Sequence, residues 1–80
     1  MYYAYILQSI NHPDQVYRGP SSDLKQRMAD HNAGRCPHTS KFAPWKIRFY
    51  AAFDTLEQAR SFERYLKTGS GHAFANRHLL

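Results

Sequence analysis

The chain has 80 residues, of which 42% are hydrophobic and 15% aromatic. This is enough for one small core and too little for two, so we expect residues 1–80 to form a single domain. Eleven Lys and Arg outnumber six Asp and Glu, and the net charge of +5 favours a polyanionic partner, nucleic acid ahead of an anionic membrane. One cysteine excludes an internal disulfide, no stretch approaches the roughly 20 apolar residues of a membrane span, and the N-terminus lacks the features of an export signal, so we expect a cytoplasmic location.

The first half of the chain predicts a hairpin followed by a helix. Residues 2–8 are aromatic and apolar and predict a strand, and residues 15–18 predict an antiparallel return strand after a turn rich in Asn, Pro and Asp. Asp23 offers an N-cap, with a Gln three residues later in the capping-box position. The helix is predicted to run to about Asn32 and to stop at Gly34.

A third strand is predicted after a polar loop over residues 34–44. In residues 45–50, Trp45, Ile47 and Phe49 alternate with Lys, Arg and Tyr, so we expect these three side chains on the buried face of a sheet whose other face is wet.

Two more helices complete the predicted order. Thr55 caps the first of them, residues 56–67, with Gln58 in the capping-box position. Ser70 caps a short terminal helix that ends at His78. The order strand, strand, helix, strand, helix, helix predicts an α+β fold, with a three-stranded antiparallel sheet and helices packed on it.

Glu63 lies on the face of the second helix where apolar side chains are expected. The predicted apolar stripe consists of Leu56, Ala59, Phe62 and Leu66. At about 100° per residue, Glu63 falls inside this stripe. A buried carboxylate is costly unless it is paired. A divalent cation is one such partner and an ion pair with Arg27 is another, and the residues alone leave both open.

Four other side chains have spacings that suit phosphodiester chemistry. The hairpin places Tyr5 and Tyr17 on neighbouring strands, where two phenols can orient a water or simply belong to the core. Arg27 and His31 stand four apart on the first helix, where they can hold a phosphate and assist proton transfer or form an exposed basic edge. With an inward Glu63, this set matches metal-assisted cleavage, because magnesium is often held by one carboxylate plus water and phosphate oxygens.

A fringe of cations and aromatic rings suits phosphates and unpaired bases. Its members are Arg18, Arg35, Lys41, Lys46, Arg48, Arg64, Lys67 and Arg77, with Phe42, Trp45 and Phe74 among them. Trp45 and Phe74 are expected in the core, since a small fold needs its large side chains. Cys36 and His38 have no second ligand pair at zinc spacing, so no zinc site is predicted.

These segments, in this order, resemble the GIY-YIG nuclease superfamily and in particular its small stand-alone bacterial members. Tyr-Ala-Tyr-Ile-Leu at positions 3–7 occupies the place of the first motif, and Tyr-Arg-Gly at 17–19 that of the second. Residues 21–32 resemble the helix that follows, residues 44–47 the third strand, and residues 62–74 the closing segment.

The resemblance implies roles for five residues. Tyr5 and Tyr17 match the motif tyrosines, one of which is thought to activate the attacking water. Arg27 matches the phosphate-binding arginine, His31 the histidine one turn later, and Glu63 the single metal-binding glutamate. The implied activity is an endonuclease that cuts DNA with Mg²⁺ or Mn²⁺. We expect low sequence specificity, because no segment of the sequence looks like a base-reading module. The small basic surface and the possible stacking rings favour single-stranded or branched DNA. Other family members serve in DNA repair, restriction and homing.

The second motif departs from the family pattern at two positions. Arg18 replaces a branched aliphatic residue that should face the core, and Pro20 removes a backbone donor beside the site. These departures favour the alternative of a catalytically impaired nucleic-acid-binding module, and a subunit that needs a partner chain is a third hypothesis. The oligomeric state is left open.

Overall fold

A three-stranded antiparallel sheet organises the fold in the computed structural model, which describes residues 1–80. Strand β1 (Tyr2–Ser9) is central, with β2 (Val16–Ser21) and β3 (Trp45–Phe53) paired antiparallel on either side. Four consecutive residues of β1, positions 4–7, are fully buried. Such a run requires that both faces of the sheet be covered.

Helices cover both faces. Helix α1 (Leu24–Asn32) lies on one face, while α2 (Leu56–Leu66) and α3 (Gly69–His78) lie on the other. The α1 layer packs on Tyr5, Leu7 and Trp45, and the α2–α3 layer packs on Ile6. The predicted α+β fold is therefore confirmed. None of the helices is long and apolar enough to cross a membrane.

The two predicted capping boxes have different outcomes. At α1, Asp23 caps the helix by accepting from the Gln26 N–H at 3.0 Å, but the Gln26 side chain donates to Asp30 instead of returning to the cap. At α2, Thr55 and Gln58 exchange both hydrogen bonds, at 3.1 and 3.3 Å. The first box was therefore wrong, since an acceptor one turn ahead competes for the Gln side chain, and the second is confirmed.

Strands β2 and β3 are longer than predicted, and β3 contains a bulge. Strand β2 continues through Gly19 and Pro20, because an edge strand with one neighbour tolerates proline. In β3, Ile47 pairs with Leu7 and Phe49 pairs with Ile6, which leaves one extra residue between them. The bulge moves Phe49 to the α2–α3 face, so the prediction that it shares a face with Trp45 was wrong.

Helix α3 begins earlier than predicted. Its N-cap is Thr68, not Ser70, because the Thr68 hydroxyl accepts from the Gly71 N–H at 3.1 Å and donates to the Tyr65 carbonyl at 2.7 Å. This geometry turns Ala75 toward the core and leaves Phe74 39% exposed. The core prediction therefore holds for Trp45, at 4% exposed, and was wrong for Phe74.

Gly71 is required for the close packing of α3 on the end of α2. A Cβ at this position would lie 1.8 Å from the Tyr65 carbonyl oxygen, so the helix would have to move. We expect Gly71→Ala to lower the free energy of unfolding by about 2–4 kcal/mol, measured by urea denaturation. Gly69→Ala is the matched control, because a Cβ there meets nothing within 4 Å. Equal stability of the two variants would contradict this account.

Candidate active site

The two motif tyrosines lie side by side because a glycine leaves room for them. The register of β1 and β2 sets Gly19 opposite Tyr5, and Tyr17 lies two residues away on the same face. Their ring centroids are 6.3 Å apart, which confirms the predicted shared face. A Cβ on Gly19 would lie 2.9 Å from the Tyr5 hydroxyl and 3.0 Å from a ring carbon of Tyr17. Gly19 thus sets the spacing of both rings.

His31 connects this pair to the loop before β3. It is fully buried, with its Nε2 3.0 Å from the Tyr5 hydroxyl and its Nδ1 2.7 Å from Thr39 Oγ1. The Thr39 hydroxyl in turn donates to the Cys36 carbonyl at 3.3 Å. Only one arrangement gives every proton an acceptor: Tyr5 donates to Nε2, and Nδ1–H donates to Thr39. His31 is therefore a neutral acceptor toward Tyr5.

Thr39 was missed by the sequence analysis, which placed it in an undistinguished polar loop. Its side chain is buried, and its carbonyl accepts from the Trp45 indole N–H at 2.9 Å. A loop has no periodicity that marks an inward residue. The one available signal was indirect: a buried histidine needs a partner for its second ring nitrogen.

Arg27 is adjacent to the Tyr5 hydroxyl. Burial raises the pKa of Tyr5 to about 12, and the neighbouring Arg27 guanidinium acts in the opposite direction. The same interaction raises the pKa of Arg27. Tyr5 is consequently a neutral phenol and Arg27 a cation at neutral pH.

The Arg27 side chain lines a cavity of about 360 Å³ that curves around the edge of β2. Tyr2 and residues 20–22 form one wall, and Leu56 and Arg60 of α2 form the other. The cavity therefore joins the α1 side of the sheet to the α2 side and carries two guanidinium groups. Such a cavity suits an anionic ligand.

The pKa of His31 makes stability pH-dependent in a defined direction. Burial lowers this pKa, and the Arg27 charge lowers it further. Below about pH 6.5 the unfolded chain binds a proton that the folded chain does not, so the free energy of unfolding decreases as the pH is lowered. We expect the urea midpoint of unfolding to decrease as the pH is lowered from about 7.5 to about 5.5.

His31→Gln should flatten this pH dependence, whereas His38→Gln, at an exposed loop position, should retain it. An unchanged slope in His31→Gln would show that another group is responsible.

Glu63 lies outside the cluster of tyrosines, arginine and histidine. As predicted it is buried, with 7% exposed, but it belongs to α2, which packs on the opposite face of the sheet. Its carboxylate forms an ion pair with Lys67, one turn later, so the alternative of a bridge to Arg27 was wrong. Glu63 is one turn beyond Arg60, which does reach the Arg27 cavity.

The donor set around Glu63 fits one kind of metal site. One carboxylate oxygen, Oε1, is buried and has no hydrogen-bond donor beyond the Lys67 ammonium contact. No three His, Cys, Asp or Glu side chains lie together in the chain. A hard ion held by one carboxylate, with water and phosphate oxygens as its other ligands, needs no more than this. The residues present therefore fit a hard divalent cation at Glu63.

Arg18 does not cross the tyrosine pair. It pairs with Ile6 across the strands and alternates with Tyr17, so its side chain is directed to the α2–α3 face. Burial lowers its pKa, and its Nε has no partner. The departure from the family pattern at this position costs stability but leaves the tyrosine pair open.

Comparisons with known proteins identify the family of the chain. A family model described as the GIY-YIG catalytic domain matches residues 1–76. The chain belongs to the GIY-YIG family. UPF0213 proteins of Streptococcus pyogenes serotypes M3, M1 and M5 are each 36% identical to it over 66 residues, which cover 81% of this chain and 70% of each relative.

GIY-YIG domains are nuclease domains, their substrates are nucleic acids, and they generally use divalent metals. The family resemblance expected from the motifs is thereby confirmed.

Proposed function

We propose that this GIY-YIG domain is a Mg²⁺- or Mn²⁺-dependent endonuclease that hydrolyses phosphodiester bonds in DNA. The observation that carries the proposal is the cluster of Tyr5, Tyr17, Arg27 and His31 beside the cavity at the edge of β2. It combines a fixed cation, a neutral histidine and two phenols, which are groups that bind a phosphate and move a proton.

Arg27 binds the scissile phosphate in this proposal. Its guanidinium is charged, and its place in the cavity allows two parallel hydrogen bonds to phosphate oxygens. Arg60 on the opposite wall adds a second positive charge to the cavity. These cations favour the extra negative charge that develops on the phosphate as the water attacks.

The two tyrosines have different roles. Tyr5 is fully buried and donates to His31, so it cannot touch a water without moving. The Tyr17 hydroxyl has no partner within the chain and is not a buried atom, so it is open to solvent. We assign Tyr17 as the group that orients the attacking water, and Tyr5 and His31 as the groups that hold Tyr17 and Arg27 in place.

Glu63 supplies the carboxylate ligand from the other side of the β2 edge. A bound divalent ion would polarise the phosphate and stabilise the leaving oxygen. Glu63 is anchored on a helix whose capping box and apolar stripe fix its position. The substrate phosphate is then held between the α1 and α2 sides of the cavity.

The substrate is inferred from the distribution of charge. The net charge is +5, and Lys41, Lys46, Arg64 and Arg77 are exposed and outside any ion pair within the chain. Contacts of this kind bind the backbone and do not discriminate among sequences. Single-stranded or branched DNA fits this small basic surface, and the unpaired Cys36 fits a cytoplasmic setting.

The test is a panel of labelled single-stranded, duplex and branched DNA incubated with the purified protein, with Mg²⁺, Mn²⁺ or a chelator. Metal-dependent cutting, fastest on single-stranded or branched DNA, supports the nuclease. The buried, unpaired Arg18 Nε and Pro20 favour the second candidate, a binding module without activity. Salt-sensitive retention of uncut DNA in every condition would support that module and contradict the proposal.

A further inference from the structure

The ion pair between Glu63 and Lys67 determines what happens when a cation reaches this carboxylate. The two residues are four apart, at the C-terminal end of α2, and Lys67 contacts Oε1. That oxygen is buried and accepts no other hydrogen bond. The Lys67 ammonium is therefore the sole partner of Oε1 within the chain.

The Glu63 and Lys67 side chains differ in how freely they can move. The Glu63 side chain is 9% exposed and packed among core residues, whereas the Lys67 side chain is 57% exposed. A flexible lysine on a four-carbon stem can leave the pair and remain solvated in water. The glutamate cannot follow, because its helix is fixed by the Thr55 capping box and by Leu66 in the core.

We propose that Lys67 is a built-in competitor for the metal ion. It neutralises Glu63 when no divalent cation is bound, and a cation gains the carboxylate only by displacing the ammonium. The inference rests on the proposed function, since it takes Glu63 as the metal ligand. It adds that the metal requirement of this chain is set partly by Lys67, through like-charge repulsion and through occupation of Oε1.

The chain offers matched controls on the same helix end. Lys67→Met removes the ammonium and keeps most of the side-chain volume. Arg64→Met removes one positive charge from an exposed position that is not paired with Glu63. Lys67→Arg keeps the positive charge and the ion pair with Glu63. Glu63→Gln removes the proposed ligand.

The experiment measures Mn²⁺ binding to the full chain without DNA, by electron paramagnetic resonance of the free ion. We expect Lys67→Met to lower the dissociation constant about five- to tenfold, since one partly buried ion pair and its repulsion are removed. Arg64→Met and Lys67→Arg should stay within about twofold of the parent chain, because neither removes a cation from the carboxylate.

Two results would overturn the inference. The first leaves the proposed metal site intact, and the second removes it as well. If Lys67→Met binds Mn²⁺ no more tightly while Glu63→Gln abolishes binding, Lys67 is not a competitor and the proposed metal site stands. If Glu63→Gln binds as well as the parent chain, the carboxylate is not the ligand, and the metal site of the proposed function fails together with the inference.

Discussion

Glu63→Gln is expected to reduce DNA cleavage about a thousandfold while the protein remains folded. The substitution keeps the size of the side chain but removes the single negative charge available to a hard cation at this position. A loss of this size corresponds to about 4 kcal/mol of transition-state stabilisation, which is in the range of a lost metal interaction. Single-turnover cleavage of a labelled oligonucleotide measures it.

Glu57→Gln is the matched control for this experiment. It neutralises an exposed carboxylate in the first turn of the same helix, and cleavage should stay within about twofold because Glu63 and its ion pair with Lys67 are left intact. A Glu63→Gln protein that retains parental cleavage, with a native circular dichroism spectrum, would remove Glu63 from the mechanism.

Tyr17→Phe is expected to lower cleavage about a hundredfold, because the hydroxyl open to solvent is the one assigned to the attacking water. Tyr5→Phe should lower it about tenfold and should also destabilise the fold, since His31 Nε2 would lose its buried donor. Tyr50→Phe, at a tyrosine that is 55% exposed, is the control and should have no effect.

The relative size of the two tyrosine effects decides the assignment. Cleavage that is lost more completely in Tyr5→Phe than in Tyr17→Phe, measured where both variants are fully folded by circular dichroism, would show that the buried phenol is the group that contacts the water.

The sequence predicts the sheet and the helices well because those elements depend on local patterns. The Thr55 cap and the apolar stripe around Glu63 each depend on residues within a few positions of one another, and the structure contains both. The bulge that turns Phe49 to the other face depends on pairing with β1. No pattern within β3 marks the inserted residue.

The candidate site, too, was predicted where its residues follow sequence spacing or family motifs, and was missed where they depend on tertiary contacts. Tyr5, Tyr17, Arg27 and His31 were grouped from their spacing and from the family resemblance, and the fold brings them together. Thr39 was given no role and Lys67 was placed only in the cationic fringe, because their partners are defined by tertiary contact or by a rotamer. The role of Gly19 is of the same kind, since its necessity comes from two rings that meet over it.

The most direct test of the central claim is cleavage of single-stranded DNA by the parent chain in oxygen-18 water, with Mn²⁺ and with a chelator. We expect cutting only with the metal, and one oxygen-18 atom in each newly formed terminal phosphate, because water is the nucleophile. Cutting that persists in chelator, or product phosphates without the label, would contradict metal-dependent hydrolysis at this site.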